Sequence, residues 1–308
     1  MNPTFAIGID IGGTNTDIGL VRSDAVVVGR RRLHTTDYTT APQMAADMYE
    51  AVRSLTTEHQ VPVLTGIGIG APNVDARTSC ISHAANIHME GSIDLRAELG
   101  RMTSIPVTVG NDANAAVLGE WLYGGGRGLD NIMMVTLGTG VGCGIISDGR
   151  LLLGTTGAAG ELGHCIVRLE GRTCGCGRQG CLETYCSAGG IVQTYRELGG
   201  RDGATLTCKD LDARAADGDP IAIETYLRTA DMLGLALANA AALFSPQAIF
   251  LSGGPTGAGD LLMLPLRATF EKNLLHILRG TCTIELSQLP HGDAALLGAA
   301  ALTQQPVR

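Results

Sequence analysis

Two short segments of the chain share one pattern of apolar and polar positions. In IGIDIGGTNTDIGLV, from Ile7, apolar residues alternate with glycine and aspartate around a Gly/Thr turn, which predicts a β-hairpin. The segment MVTLGTGVGCGII, from Met134, repeats this pattern. An alignment pairs Asp10 with Thr136, Gly12 with Gly138 and, after a slip of one residue, Gly19 with Gly144. A repeat of about 126 residues is too long for a solenoid and predicts two duplicated lobes.

Strand and helix patterns alternate along the rest of the chain. After the first hairpin, apolar spacing predicts a helix over 41–58, a strand in LTGIGIGAP, and a strand in IPVTVGND that leads into a helix in ANAAVLGEWLYG. The second half contains an alanine-rich helical stretch over 219–244, the strand AIFLSGG and a helix near 261–275. GDAALLGAAAL predicts a capped closing helix. This alternation is typical of α/β folds.

The length of 308 residues favours two lobes, because a single hydrophobic core rarely grows that large. We predict a small N-terminal α/β lobe over 1–112 that also takes in 294–308, so that the C-terminal helix returns to it. The large lobe is predicted over 113–293 and carries a cysteine-rich loop. No linker rich in proline or serine separates the two parts, so we expect them to pack across a cleft.

The charge of the chain argues against a nucleic-acid partner. The formal net charge is −8 and the sequence pI is about 5.3. The basic run Arg30–Arg32 is expected to be a solvated strand face. Neither lysine of the chain, Lys209 or Lys272, lies in a glycine-rich loop. Any phosphate-binding loop here is therefore not a Walker A motif, which needs a lysine directly after its glycines.

The N-terminal segment MNPTFAIGIDIGG has neither a basic leader nor an apolar signal core, and no later stretch approaches 18 unbroken apolar residues. We therefore expect a soluble cytoplasmic protein without a membrane partner. Thiols are kept reduced in the cytoplasm, so clustered cysteines are expected to bind a metal rather than to form disulfides.

The stretch HCIVRLEGRTCGCGRQGCLE, over 164–183, concentrates groups that bind metals. It supplies the imidazole and the three thiolates of a closed tetrahedral zinc site: His164, Cys174, Cys176 and Cys181. Nearby glycines allow the chain to wrap around one ion: Gly175, Gly177 and Gly180. We predict structural Zn²⁺, because four protein ligands leave no position for a catalytic water. Reduced cysteines in a surface loop are the alternative. The other cysteines are expected in the core: Cys80, Cys143, Cys165, Cys186, Cys208 and Cys282.

Three glycine-rich turns are candidates for phosphate and nucleotide binding. In DIGGTNT, a phosphate can approach the backbone of the glycines, Asp10 can hold Mg²⁺, and the Thr14 and Thr16 hydroxyls can donate to phosphate oxygens. TLGTGVG would grip the same polyphosphate from the other lobe. LSGGPTGAGD, over 251–260, follows a buried strand and suits the base and ribose. An ordinary hairpin turn or strand-to-helix loop is the alternative for each.

The motif VGND, over 109–112, is a candidate for catalysis and for sugar binding. Asp112 ends a strand and precedes a helix. It is therefore either a helix N-cap or a general base that takes a proton from a hydroxyl attacking phosphorus. Asn111 and Asn86 each offer a donor and an acceptor, which suits a polyhydroxylated ligand such as a sugar.

Two carboxylates, Glu161 and Glu183, flank the cysteine-rich loop. A metal that holds one ring nitrogen of His164 leaves the other nitrogen free, so the three side chains can be aimed at one place. Carboxylates on a surface helix are the alternative interpretation for each glutamate.

Together these motifs resemble the ROK family, the sugar kinases and repressors of the actin/hexokinase-like superfamily. The resemblance covers nearly the whole chain, because these motifs occur in the family's order: DIGGTNTDIGL, GIGIGAP, GND, GTGVG, GELGH, CGCGRQGCLE, LSGG and GDAALLGAAAL. It implies an α/β fold of the two-lobed actin-like/hexokinase (ribonuclease H-like) ATPase type, with duplicated α/β domains and a central cleft.

The resemblance also implies ATP-dependent phosphorylation of a hexose hydroxyl by a homodimer, with glucose 6-phosphate as the expected product and a place in glycolysis. By motif position, Asp112 would be the general base, and the sugar would be bound by Asn86, Asn111, Asp112, Glu161, His164 and Glu183. Phosphates and Mg²⁺ would be bound by Asp10, Gly12, Gly13, Thr14, Gly138, Thr139 and Gly140. The adenosine would be bound by Gly253 and Gly254.

The sequence departs from the family pattern at three places. Asn15 stands where many ROK kinases have lysine, and Asn73 replaces a glycine, which asparagine can do because it also adopts positive φ. After Asn86 the chain reads IHMEGSIDL, where glucokinases of the family often have a Gly-Trp pair. This loop is expected to shape the sugar pocket.

Three alternatives to a glucokinase are considered. The first is a kinase for another hexose: fructose, mannose, allose or an N-acetylhexosamine. The second is a sugar-responsive repressor without kinase activity, although ROK repressors carry an N-terminal winged helix and Asp10 comes early in this sequence. The third, a Rossmann oxidoreductase, needs Gly-x-Gly-x-x-Gly after the first strand, and DIGGTN does not supply it.

Overall fold

A computed structural model of the chain describes residues 3–75, 77–81, 87, 89, 91–201 and 205–304. The strands are β1 (Phe5–Ile11), β2 (Asn15–Arg22), β3 (Val27–His34), β4 (Leu64–Ala71), β5 (Val74–Asp75), β6 (Cys80–Ile81), β7 (Val107–Asn111), β8 (Ile132–Leu137), β9 (Val141–Ser147), β10 (Arg150–Leu151), β11 (Ala248–Ser252) and β12 (Thr283–Leu286). The helices are α1 (Ala41–Glu58), α2 (Leu95–Gly100), α3 (Asp112–Tyr123), α4 (Glu183–Cys186), α5 (Ala188–Glu197), α6 (Cys208–Ala216), α7 (Pro220–Phe244), α8 (Asp260–Asn273) and α9 (Ala294–Ala301).

Two five-stranded sheets share one topology. Their strand orders are β3-β2-β1-β4-β7 and β10-β9-β8-β11-β12. In each sheet the first three strands along the chain are antiparallel, and the other two lie parallel to the first strand. The predicted α/β fold with a duplicated lobe is therefore confirmed, although the predicted lobe bounds at residues 112 and 294 stay a prediction.

The strand register explains the slip of one residue in the internal repeat. Gly8 pairs with Gly19, and its counterpart Met134 pairs with Gly144. At the hairpin tips Ile11 pairs with Thr16, whereas Leu137 pairs with Val141. The first turn is thus one residue longer than the second, which displaces the second strand of each hairpin by one position.

The two longest helices follow the apolar spacing of the sequence. The apolar stripe of α1 includes Met44, Met48 and Leu55, which are fully buried in the core of the first sheet. In α7, the Asp219 side chain accepts from two N–H groups of the first turn, and much of the helix is buried in the core of the second sheet. By length and composition α7 also qualifies as a membrane span, a test that core helices pass, and half of its most apolar window is buried.

Helices α3 and α9 lie against each other between the two sheets. Helix α9 packs on β1 and β4, where glycines allow close approach: a Cβ at Gly68 would overlap the Ala299 carbonyl oxygen. Helix α3 packs on β8 and β9, where a Cβ on Gly144 would meet the Ala113 carbonyl oxygen. The C-terminal helix therefore returns to the first sheet, and the helix that Asp112 begins lies against the second.

Strand β3 carries the basic run, and its arginines are paired at the surface. Arg30 pairs with Asp293, Arg31 with Glu58 and Arg32 with Asp17. The expectation of a solvated strand face is confirmed. The predicted cap of the closing helix is wrong, however, because the Asp293 side chain makes no capping hydrogen bond and faces Arg30 instead.

Candidate active site

A cavity of about 740 Å³, called the first cavity below, lies between the two sheets. Its lining includes Asp10, Asp112, Thr136, Gly253 and Gly254. It brings together four side-chain or backbone positions that were predicted from separate motifs: Asp10, Asp112, Gly253 and Gly254. Helices α3 and α9 contribute Ala115 and Ala294 to its wall. The space is therefore enclosed by the ends of strands and by the two helices that connect the sheets.

The two predicted phosphate turns, at Gly12–Thr14 and Gly138–Gly140, do not line the first cavity. They continue the strands that end beside Asp10 and Thr136. The N–H groups of Gly12 and Gly138 are already bonded within their own turns, to the carbonyl oxygens of Asn15 and Gly140. The phosphate roles of Gly12, Gly13, Thr14, Gly138, Thr139 and Gly140 stay a prediction.

The suggested phosphate contact of Thr16 is wrong. Thr16 is fully buried, and its hydroxyl bonds to the Thr35 hydroxyl at 2.9 Å. Thr16 lies in β2, where it pairs with Ile11, and its side chain is on a buried face of the strand. Thr14 in the same turn is exposed.

Asp10 is a partly buried carboxylate with other carboxylates nearby. Burial, together with the nearby carboxylates of Asp112 and Asp17, raises the pKa of Asp10 to about 6. The interaction with Asp112 shows that the ends of β1 and β7 bring the two carboxylates near each other across about 100 residues of sequence. A divalent cation beside Asp10 would relieve this repulsion, so the residues fit the predicted Mg²⁺.

Asp112 is the first residue of α3 and lies in the wall of the first cavity. Its side chain remains accessible to solvent in the cavity, yet the surrounding protein raises its pKa by burial. The Ala113 N–H bonded to its carboxylate lowers the pKa, and the Glu161 carboxylate raises it. The N-cap of α3 is Asn111, whose side-chain oxygen accepts from the Ala113 N–H at 2.8 Å. The N-cap alternative therefore belongs to Asn111.

The candidate metal centre consists of His164, Cys174, Cys176 and Cys181, whose ligand atoms all lie within 4.8 Å of one another. The Cys176 and Cys181 sulfurs are 3.7 Å apart, and His164 Nδ1 is 3.7 Å from the Cys174 sulfur. Tetrahedral Zn²⁺ with bonds of about 2.3 Å would separate its sulfur ligands by about 3.8 Å. The residues present therefore fit the predicted ion.

The loop that carries these cysteines is a tight hairpin. Cys174 and Arg178 are joined by a backbone hydrogen bond, and a bridge links Thr173 with Gln179. Gly177 and Gly180 have φ of +87° and +76°, which only glycine adopts readily. The Arg178 N–H bonded to Cys176 lowers the pKa of that thiol to about 7, which favours the metal-binding thiolate. Among the cysteines expected in the core, Cys165 is exposed and Cys80 is only half-buried, whereas the other four are buried.

His164 connects the metal centre to the carboxylates. Its Nδ1 faces the cysteines, and its Nε2 lies 3.9 Å from the Glu161 carboxylate. Glu183 lies on the other side, where one oxygen accepts from the Val141 N–H at 3.1 Å and the other is 3.8 Å from the Cys174 sulfur. The structure thus groups all three side chains around the metal centre, with Glu183 also joined to the end of the second hairpin turn.

The sequence comparison gives one result for almost the entire chain. The family model described as "ROK family" matches residues 6–306. The chain belongs to the ROK family. The fold and family that the motifs implied are thereby confirmed.

Three relatives of this ROK protein are sugar kinases. The glucokinase of Halalkalibacterium halodurans is 34% identical, over 99% of this chain and 96% of the relative. The N-acetylmannosamine kinase of Escherichia coli O157:H7 is 32% identical, over 97% of this chain and 98% of the relative. The structure of a ROK family glucokinase from Streptomyces griseus in complex with glucose and AMPPNP is 32% identical, has a TM-score of 0.77, and covers 98% of this chain and 100% of its own.

Several residues of the ROK site were not predicted from sequence. Thr136 lines the first cavity and could have been found, because the internal repeat aligns it with Asp10. Ser287 also lines the cavity, but it lies in no motif. Glu120 is fully buried and accepts hydrogen bonds from the Gly125 and Gln288 N–H groups and from the Ser287 hydroxyl. The predicted sugar ligand Asn86 lies outside the described residues.

Proposed function

We propose that this ROK protein is an ATP-dependent hexose kinase that converts glucose to glucose 6-phosphate. The observation that carries the proposal is the position of Asp112. Its carboxylate lies in the cavity that also contains Asp10, Gly253 and Gly254, and it interacts with Glu161 of the group around the metal centre. One carboxylate thus stands between a place suited to a nucleotide and a place suited to a sugar.

Asp112 supports phosphoryl transfer as a general base. The oxygen of a sugar hydroxyl attacks the γ-phosphorus, the Asp112 carboxylate accepts the hydroxyl proton, and the bond from the γ-phosphorus to ADP breaks. Burial raises the pKa of Asp112, which makes its carboxylate a stronger base. The helix that begins at Asp112 packs on the second sheet, which holds the base in a fixed position.

Two ions are part of the proposal. Mg²⁺ would be held through Asp10 and would neutralise charge on the phosphates. Zn²⁺ would be held by His164, Cys174, Cys176 and Cys181 and would fix the orientation of the His164 ring. With the ring fixed, its Nε2 faces Glu161 and both groups are positioned to bond sugar hydroxyls.

Glucose is proposed because curated glucokinases are 33–34% identical over 98–99% of this chain. Another hexose is the second candidate, because the N-acetylmannosamine kinase is 32% identical over a similar length. The loop that would distinguish these sugars, around Asn86, lies largely outside the described residues. Asn73, before this loop, has φ of +52° and so adopts the conformation of the glycine it replaces.

A cytoplasmic homodimer is the proposed form of the enzyme. Two adjacent helices, α7 and α8, expose large apolar side chains: Leu243 is 79% and Leu264 is 59% exposed. Burial of such side chains against a second copy would favour association. Light scattering of the purified protein measures the mass directly, and a monomer at micromolar concentration would contradict this part of the proposal.

The test of the proposed function is the variant Asp112→Asn in an ADP-release assay over a panel of hexoses. We expect kcat for glucose to fall by about 10²-fold to 10⁴-fold with glucose still bound, because a general base is lost. Asp219→Asn is the matched control, since Asp219 caps α7 through two backbone N–H groups and asparagine is an equally good cap.

Two results would count against the proposal. Equal turnover of wild type and Asp112→Asn would contradict the role of Asp112 as general base. A wild-type protein that releases ADP with none of the hexoses would contradict the proposed kinase activity. Preference for N-acetylmannosamine over glucose would support the proposed kinase activity but would contradict glucose as its substrate.

A further inference from the structure

A second cavity lies between residues of the two sheets. Its volume is also about 740 Å³, and its walls include β7 of the first sheet and Gly149–Leu151 of the second. The lining runs along α3 from Asn111 to Trp121, which at 1.5 Å per residue is about 15 Å. Of the predicted sugar ligands, Asn111 lines this cavity, whereas Asp112, Glu161, His164 and Glu183 do not. The space is therefore too long to be the sugar site alone.

The charge of the second cavity is opposite to that of the whole chain. Arg96 and Arg150 line it, and no described aspartate or glutamate does, although the chain has a net charge of −8. No carboxylate of the described residues lies within ion-pair distance of either arginine; Arg96 makes one long hydrogen bond, of 3.4 Å, to the Ser79 hydroxyl. Most other arginines named above are paired, so two unpaired guanidinium groups in one cavity favour an anionic ligand.

Asn114 supplies an independent observation. It is 5% exposed and lines the second cavity, and its side-chain amide has no hydrogen-bond partner among the residues the structure describes. It is also absent from the buried polar atoms that are sealed from solvent without a partner. Its amide is therefore reached through the cavity. Buried amides are normally bonded, so this one is available to a polar ligand.

The remaining walls indicate the body of the ligand. Val107, Val109, Leu151 and Leu302 present apolar surface, and Trp121 adds an aromatic ring at the far end of the cavity. Inorganic phosphate is too small to contact the arginines and these walls together. A small organic anion with a polyhydroxylated body matches the combination of guanidinium, amide and apolar groups.

We propose that the second cavity is a regulatory site for a sugar phosphate. The two arginines come from opposite sides of the cleft: Arg96 lies on α2, which packs on β7, and Arg150 lies on β10 of the second sheet. Without a ligand, their like charges oppose the approach of the two sheets. A phosphate between them removes this repulsion, so binding favours the closed cleft and tighter sugar binding at Asp112.

The single tryptophan of the chain is the reporter for the binding test. Trp121 fluorescence is titrated with glucose 1-phosphate and fructose 6-phosphate, and with inorganic phosphate and glucose as the anion and the sugar alone. Glucose 6-phosphate is left out because, as the product of the proposed reaction, it would also occupy the active site. We expect saturable binding of at least one sugar phosphate, at least tenfold tighter than inorganic phosphate.

Two variants assign the binding to this cavity. Arg150→Gln and Asn114→Ala should each weaken sugar phosphate binding by about tenfold. The melting temperature of Arg150→Gln should be unchanged, because Arg150 is exposed and makes no side-chain hydrogen bond or ion pair with the described residues. The matched control is Arg127→Gln, an exposed arginine outside both cavities with no side-chain partner among the described residues. Binding that survives both variants, or that equals the binding of inorganic phosphate, would overturn the proposal.

The regulatory part has its own measurement. A saturating sugar phosphate should lower the KM for glucose about fivefold, and saturating glucose should tighten sugar phosphate binding by the same factor. Sugar phosphate binding without this coupling would support the proposed binding site but would overturn its proposed regulatory role. The fluorescence titration contains no ATP, so it stands even where the proposed kinase activity fails.

Discussion

The buried carboxylate of Glu120 connects the helix of the proposed base to the wall of the first cavity. Glu120 is fully buried on α3, and it accepts from the Gly125 N–H at 2.7 Å, the Gln288 N–H at 3.0 Å and the Ser287 hydroxyl at 2.5 Å. Ser287 lines the first cavity. Removal of this carboxylate should therefore affect both stability and nucleotide binding.

The variant Glu120→Ala leaves three donors without their acceptor. An unsatisfied buried donor costs about 1–3 kcal/mol, and water can reach Gln288 because that residue is exposed, so we expect a loss of about 4 kcal/mol. Unfolding entropy of about 2.1 cal/mol/K per residue gives roughly 0.65 kcal/mol/K for a chain of this length. The melting temperature should therefore fall by about 6 °C.

The variant Glu120→Gln is the matched control. Its amide oxygen can accept from both N–H groups, and its NH₂ can donate to the Ser287 hydroxyl, which rotates to accept. The cost is then about 1 kcal/mol, from the loss of the charge in these hydrogen bonds. The melting temperature should fall by less than about 2 °C.

Calorimetric melting and the KM for ATP measure the two effects. We expect Glu120→Ala to raise the KM for ATP severalfold with little change in the KM for glucose, because Ser287 and Leu289 lie in the wall of the first cavity. Equal melting temperatures for the alanine and glutamine variants would refute the hydrogen-bond argument, since only the glutamine side chain can satisfy the donors that Glu120 bonds. An unchanged KM for ATP in the alanine variant would refute the link to the nucleotide.

Two further predictions concern the metal centre and the pH dependence of stability. Cys176→Ser should abolish bound zinc in elemental analysis and raise the KM for glucose about tenfold. The control Cys165→Ser, beside His164 but outside the cluster, should retain the metal. Zinc-free wild-type protein would contradict the metal assignment. Because burial and neighbouring carboxylates raise the pKa of Asp10 to about 6, its ionised form destabilises the fold above that pH, and the cost disappears as the pH falls below 4. Asp10→Asn should therefore stabilise the protein at pH 8 without Mg²⁺, by up to about 3 kcal/mol, and leave it unchanged at pH 4; thermal melts that shift equally at both pH values would refute this.

The parts of the site that depend on neighbouring residues were predictable from sequence. Cys174, Cys176 and Cys181 lie within eight positions, so glycine turns alone bring them together. The helix over 41–58 has the bounds of α1, because its apolar spacing matches the helical period. The hairpin repeat was visible because its strands and turns are local, and even the slip of one residue corresponds to a difference in turn length.

Contacts between distant residues could not be predicted, because they depend on how the sheets and connecting helices pack. The pKa of Asp10 depends on Asp112, and Glu120 bonds to Ser287 across 167 positions. The sequence suggested Thr16 as a phosphate ligand, but the register of β2 places its hydroxyl in the interior, where it bonds to Thr35. The second cavity is formed by strands of two different sheets. Periodicity along the chain records which face of an element is buried, but it carries no information about which distant element covers that face.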